Sequence, residues 1–342
     1  MANSTLVAIQ NKVRRLTRSL SPAQLTDAQL NEYINTFIQY DFPEHLRLFN
    51  LRSTFSFYVE PFEDLYDPTV YGPASPLYEF NQKYITVHPP IYVAGYQASF
   101  LESREKLYAL YPKLAAIMQI GSGNSVNTQF TGTLPNLNPG NCIVRRNVLF
   151  DSIDLNGDGA SMIDFPITAT QGNLYIPGGA PTSTTVLDPN NYINYVTGQF
   201  VVTFLFAPAQ GDVVNCQYVA VQPSRPTTVC FFDGSFIVRP VPDQPYEVNM
   251  EVYVRPLELL AAGQSPELEE WWQYISYGCA KKIFEDRMDL ESVQMIMPEF
   301  KKQENLINRR TIVQQTSQRV ATIYTEDNNQ ATPFGPNSNG GF

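Results

Sequence analysis

The sequence predicts an α+β protein in which helices from both ends of the chain form a bundle and a large antiparallel β module, a sandwich or jelly roll, is inserted between them. Two observations predict this. Apolar residues recur at steps of three and four over the first fifty residues and again after residue 257. Between residues 126 and 256 short alternating runs are separated by Gly, Pro, Asn and Asp, the residues of turns.

Leu6, Ile9, Val13, Leu16 and Leu20 lie on one face of a first helix, and Arg14, Arg15 and Arg18 project to the opposite face. No acid precedes Asp27, so these arginines form a local basic stripe suited to an acidic partner or to DNA phosphates. A solvated helix face is the simpler reading. Ser21 to Gln24 and Thr26 to Gln29 both match the capping box that starts a helix. Leu30, Tyr33, Ile34, Phe37 and Ile38 give the second helix its apolar face, and Pro43 is expected to end it. Residues 52–125 read as a strand and loop segment with a helix near 103–118, kinked or broken at Pro112.

Within 126–256, strands are expected at Val148–Ile153, Phe200–Phe206, Val213–Ala220, Thr228–Phe232 and Val248–Val254. Asp233-Gly234 between two apolar runs signals a tight hairpin. Helices resume after Ser265-Pro266, an N-cap followed by an N1 proline. Leu268, Trp271, Trp272, Ile275, Cys279 and Ile283 form a broad apolar face, with Trp271 and Trp272 as candidate interface anchors. A last helix runs from about Leu290 to Val320. Its thin stripe of Leu306, Val313 and Val320 is suited to packing on another subunit or on the same chain. Residues 1–51 with 257–322 are therefore assigned to one helical domain, and 323–342 to a flexible tail.

The 342 residues carry 43% apolar side chains, enough for a packed fold. Only 16% are charged, against about a quarter in ordinary domains, while aromatics reach 13%; this balance suits large contact surfaces, and an aromatic-rich β core is the simpler reading for any single residue. A net charge of -10 makes the chain a poor general binder of phosphate backbones. Four isolated cysteines and two histidines give no zinc pattern, and no apolar run spans a membrane. The N-terminus lacks the order of a signal peptide, so a soluble product is expected.

Motifs for chemistry are sparse. There is no G-x-S-x-G elbow, Walker loop or dinucleotide cradle. Glu60, Glu63, Asp64 and Asp67 cluster among aromatics, a set from which a glycosidase could draw its carboxylate pair; a surface acid cluster is the simpler reading. Asp154, Asn156 and Asp158, with Gly159 at the sixth position, match the start of a calcium loop, but Phe165 stands where the closing carboxylate belongs. A β-turn accounts for the same residues, and no cofactor is expected.

Three stretches resemble tailed-bacteriophage virion proteins. Val13-Arg14-Arg15-Leu16, Leu25 to Leu30 and Tyr33-Ile34-Asn35 resemble the helical start of head-to-tail adaptor and connector proteins. Leu268 to Leu290, with Trp271-Trp272, Tyr277 to Ala280 and Arg287-Met288-Asp289, resembles their C-terminal helices. Asn194 to Phe200, Phe204, Ala207-Pro208-Ala209 and Gly211 to Tyr218 are similar to a β module of connector, baseplate and tail proteins. The resemblance implies a non-enzymatic virion protein assembled in the bacterial cytoplasm. It implies a ring of about twelve copies that docks on the portal and other neck and tail proteins, with DNA passing through without specific binding. Adaptors of this kind are often smaller and mainly helical, so the β module is a departure. A tail, baseplate or fibre protein with a glycan- or protein-binding β module is the alternative.

Overall fold

The computed structural model describes residues 4–19, 21, 23–46, 48–135, 137, 140–153, 159–176 and 190–316. It is a mixed α+β protein with large curled sheets. The helices are α1 (Leu6–Leu16), α2 (Asp27–Thr36), α3 (Phe42–His45), α4 (Phe80–Lys83), α5 (Arg104–Leu110), α6 (Trp272–Asp286) and α7 (Leu290–Thr316). The strands are β1 (Arg52–Val59), β2 (Leu65–Tyr66), β3 (Tyr84–Val93), β4 (Tyr96–Leu101), β5 (Ala115–Ser122), β6 (Gln129–Thr133), β7 (Cys142–Ile143) and β8 (Leu149–Ile153). They continue as β9 (Gly159–Pro166), β10 (Gln171–Tyr175), β11 (Tyr192–Asn194), β12 (Gln199–Thr203), β13 (Val213–Val221), β14 (Thr228–Phe232), β15 (Ser235–Arg239) and β16 (Tyr246–Val254). The chain divides into two compact units, Met1–Arg52 with Val254–Phe342, and Ser53–Tyr253.

In the first unit α1 lies along α6 with the same direction. Ser4 Oγ donates to Glu269 Oε1 at 2.6 Å and Leu6 N to Gln264 O at 2.9 Å at one end, while Arg287 donates to Ser19 Oγ at 3.0 Å at the other. Helix α7 returns antiparallel, since Phe300 stacks on Tyr274 and Arg310 lies over Trp271. Phe37, Phe42, Tyr274 and Phe300 fill the space between these helices. Gly278 lets Phe37 close in: a Cβ built there would fall 2.0 Å from the Phe37 ring.

Three local expectations are corrected. Pro43 does not stop the helix: Phe37–Asp41 widens into a π-turn, the Phe42 amide reaches back to Phe37 O, and α3 continues through Pro43. Ser265-Pro266 does not start α6, which begins at Trp272 after a short 3-10 turn. Helix α5 stops at Leu110, before Pro112, and residues 115–118 belong to β5.

The second unit holds two sheets. One has the order β1-β16-β3-β4-β14-β15-β2, so residues 52–101 supply four of its strands and 228–254 the rest. Phe55, Phe57, Phe80 and Phe236 form its aromatic core. Asp233 and Gly234 join β14 to β15 as a two-residue turn with φ of 51° and 70°, the left-handed geometry that the dipeptide favours. The other sheet runs β5-β13-β8-β9-β10-β11-β12-β6, with β7 beside β13. Its core is Phe150, Met162, Leu174, Ile193, Tyr195, Phe200, Val202, Val214 and Cys216. It curls until its far ends approach: a Cβ on Gly121 of β5 would meet the Phe130 ring of β6.

Candidate functional site

The acid cluster of residues 60–67 is sealed by cations brought from distant parts of the chain. Glu63 meets Arg146 Nε at 2.9 Å and Arg145 at 3.5 Å, and Glu60 meets Arg145 at 2.8 Å. Asp64 meets Arg239 at 2.5 Å, both side chains almost wholly buried, with Lys113 at 3.8 Å. Buried Asp164 accepts from Val148 N at 2.9 Å, Arg146 N at 2.7 Å and the Tyr195 hydroxyl at 2.8 Å. Asp67 stands apart and caps a turn by accepting from Thr69 N at 2.9 Å. Burial pushes the Glu63 carboxyl above the usual range, against the opposing pull of Arg145 and Arg146. Glu60 and Glu63 with Arg145 and Arg146, and Asp64 with Asn147 at 3.5 Å, thus hold the 60–64 segment of one sheet to the 145–147 segment of the other, while the Asp64–Arg239 pair and the Asp164 bonds each stay on one side. A general acid or base must reach its substrate, whereas Glu63 and Asp64 are buried against arginine.

The predicted calcium residues Asp154, Asn156 and Asp158 lie outside the described residues. The strands they connect form a hairpin, with Ile153 opposite Gly159. Among the described residues no group of three or more His, Cys, Asp or Glu is placed to hold a metal. The four cysteines are buried free thiols, and burial pushes Cys142 up to about 12.

The basic stripe is reshaped. Arg14 is buried and spent on Asp27, at 2.7 Å. Arg18 lies beyond the helix: with φ of 55° it occupies the left-handed cap position, and Ser19 N closes the turn on Arg14 O at 3.1 Å. Helical projection failed for Arg18 because α1 ends at Leu16. Arg15 and Arg18 remain exposed, beside Arg287 at the far end of α6.

Trp271 and Trp272 are both half-buried at the start of α6; Arg310 covers Trp271 and pairs with Glu270. On α7 the expected stripe is displaced by one residue. Ile307 is buried, Leu306 is exposed, and Phe300, seven residues before Ile307, is the other buried side chain of α7 among the described residues. Val313 lies in the last described turns of α7, where only the backbone is described, and Val320 is outside the described residues.

Two apolar patches were not singled out in the sequence. Met288 is 87% exposed, and Leu290 and Met295 are also exposed, at the junction of α6 and α7. Leu257, Leu260 (75% exposed) and Val7 form the second, where the 257–264 loop meets the first turn of α1 through Val7 N and Ala262 O. Because α1 and α6 run in the same direction, the patches lie at opposite ends of the helix pair, about 22 Å apart for the fifteen residues of α6. Their charged surroundings differ. Exposed Glu258, Glu267 and Glu269 flank the Leu257 and Leu260 end. Arg15, Arg18 and Arg287 flank the methionine end, where Asp286 is held by Tyr33, Asp289 caps α7 through Ser292 N, and Glu291 is exposed.

No family model and no curated protein matches the chain. Among the described residues no helix is long and apolar enough to cross a membrane. The geometry of the surfaces therefore carries the functional reading.

Proposed function

We propose that this protein is a self-assembling structural subunit, and that it acts as a ring-forming head-to-tail adaptor of a tailed bacteriophage. The observation that supports this best is the pair of exposed apolar patches, of unlike electrostatic surroundings, at opposite ends of the α1–α6 pair. Unlike patches at opposite ends join copies head to tail, and such heterologous contacts close into a ring when the rotation per copy allows it.

In this reading the terminal segments act as one helical bundle that builds a ring of about twelve copies under the portal. The curled nine-stranded sheet is a jelly-roll-like module that faces other neck or tail proteins. A chain with net charge -10 would line a lumen that DNA passes without sticking. Burying six aliphatic side chains at about 1.5–3 kcal/mol each gives on the order of 10 kcal/mol. That is comparable with the roughly 4–15 kcal/mol cost of lost freedom on association, so closure of the ring supplies the remaining cooperativity.

The test compares the full-length chain with a Met288→Glu, Met295→Glu variant by light scattering and electron microscopy. The wild type is expected to form rings, and the variant to stay monomeric with an unchanged far-UV spectrum. A wild type that stays monomeric at every concentration, or a variant that assembles equally well, overturns the proposal.

A further inference from the structure

Strand β5 is the open edge of the nine-stranded sheet. Among the described residues it pairs with β13 alone, Ala115 opposite Val219 through Gln119 opposite Asn215. Met118 and Ala116 share the inner face with Cys216 and Tyr218. Even so, Met118 is only half-buried and Ala116 is exposed, because among the described residues β6 approaches β5 only at its Gly121 end and no strand pairs with its outer edge. Leu114 is 78% and Ile117 72% exposed.

Protein edges are ordinarily blunted by Lys, Pro or charge. Residues 114–122, Leu-Ala-Ala-Ile-Met-Gln-Ile-Gly-Ser, carry none of these. An unguarded apolar edge of this length is a template for one more strand. Beside its first residue lies an open cleft of about 560 Å³, lined by Lys113, Arg146, Asn147, Tyr175 and Gln217 among others. Lys113 and Arg146 keep about a third of their side-chain surface exposed there, while engaging Asp64 and Glu63.

The same sequence contains a segment of strand-forming composition. Beyond Thr316, where the described part of α7 ends, residues 320–325 read Val-Ala-Thr-Ile-Tyr-Thr, β-branched or aromatic at five of six positions. Glu326 and Asp327 follow directly. An added antiparallel strand ends next to the start of its neighbour. Addition in that sense would set Glu326 and Asp327 beside Lys113 and Arg146. The parallel sense would carry them to the other end of β5, away from both cations.

We propose that residues 320–325 of one copy add as an antiparallel strand to β5 of a second copy, with Glu326 and Asp327 seated at the Lys113–Arg146 cleft. The proposal rests on the self-assembly reading above, since a neighbouring copy must be at hand. Exchange around a closed ring would give every copy one donated and one received strand and leave no β5 edge open.

Cysteine cross-linking of the full-length chain tests it, the four native thiols being buried. One sample carries Ala116→Cys or Ile117→Cys, the other Thr322→Cys or Ile323→Cys, and the two are mixed, oxidised and read by mass spectrometry, with light scattering on the same samples. A disulfide between the two different chains is expected, and Glu326→Lys with Asp327→Lys in the donor should slow its formation at least several-fold. Multimers without the disulfide would overturn the strand exchange and leave the assembly reading standing. Monomers without it would overturn both. A variant with both cysteines in one chain that links only within that chain would show that the strand's own copy is the acceptor, and would also overturn the proposal.

Discussion

Replacing Arg239 by Met tests how much the buried Arg239–Asp64 pair, which ties β15 to the start of β2, stabilises the second unit. The substitution leaves the Asp64 carboxylate, with 3% of its side-chain surface exposed, with Lys113 at 3.8 Å and Asn147 at 3.5 Å as its remaining side-chain partners. Removing one member of a buried pair costs about 3–5 kcal/mol, because the other charge stays out of water without its partner. Asp64→Leu alone should cost a similar amount by stranding Arg239. Removing both charges abolishes both desolvation penalties and also the Arg239 Nε, which has no hydrogen-bond partner. The double variant should therefore lose only about 0–2 kcal/mol, far less than the sum of the single losses. Urea unfolding followed by far-UV circular dichroism measures the three differences. Trp271 and Trp272 both belong to the other unit, so their fluorescence reads that unit separately and should be unmoved. Single variants that lose less than about 1 kcal/mol, or a double loss equal to the sum, would refute the reasoning.

Two further outcomes follow from named side chains. Glu63 has its carboxyl raised by burial, so between the ordinary carboxylate pKa of about 4 and that raised value the folded state binds more protons than the unfolded one. The stability this contributes is complete below the unfolded value and is lost as pH rises through the folded one. Glu63→Gln should therefore flatten the decline of stability with rising pH in urea titrations, and an unchanged slope would exclude Glu63 as its source. Gly278→Ala places a methyl group against the Phe37 ring, which Phe42, Tyr274 and Phe300 already enclose. Overpacking of about 1–3 kcal/mol should outweigh the roughly 1 kcal/mol that alanine gains in a helix, lowering the tryptophan-fluorescence midpoint; a raised midpoint would contradict the packing.

Much of the local structure was legible from residue pattern. The capping box at Thr26 and Gln29 forms as its spacing predicts, because both partners lie within one turn. The Asp233-Gly234 turn and the strands around it follow from the alternation of Val229, Phe231, Phe236 and Val238. Boundaries were less legible where a local signal met a tertiary one. Pro43 is absorbed by a π-turn, and Ser265-Pro266 carries a capping signature without a helix behind it.

What the sequence by itself determined is the mixed α+β class, many strand positions and the lack of a recognisable catalytic motif, all of which depend on neighbours a few residues apart. The partners of the acids at 60–64 were decided only by the tertiary structure. Glu63 is 83 residues from Arg146, and Asp64 is 175 from Arg239. No periodicity links such distant positions; the proximity of the two sheets joins the first pair, and the pairing of β2 with β15 joins the second. The methionines at 288 and 295 and the edge strand at 115 look like ordinary core residues in the sequence, because hydrophobicity states a preference for burial and says nothing of whether the chain itself supplies the cover.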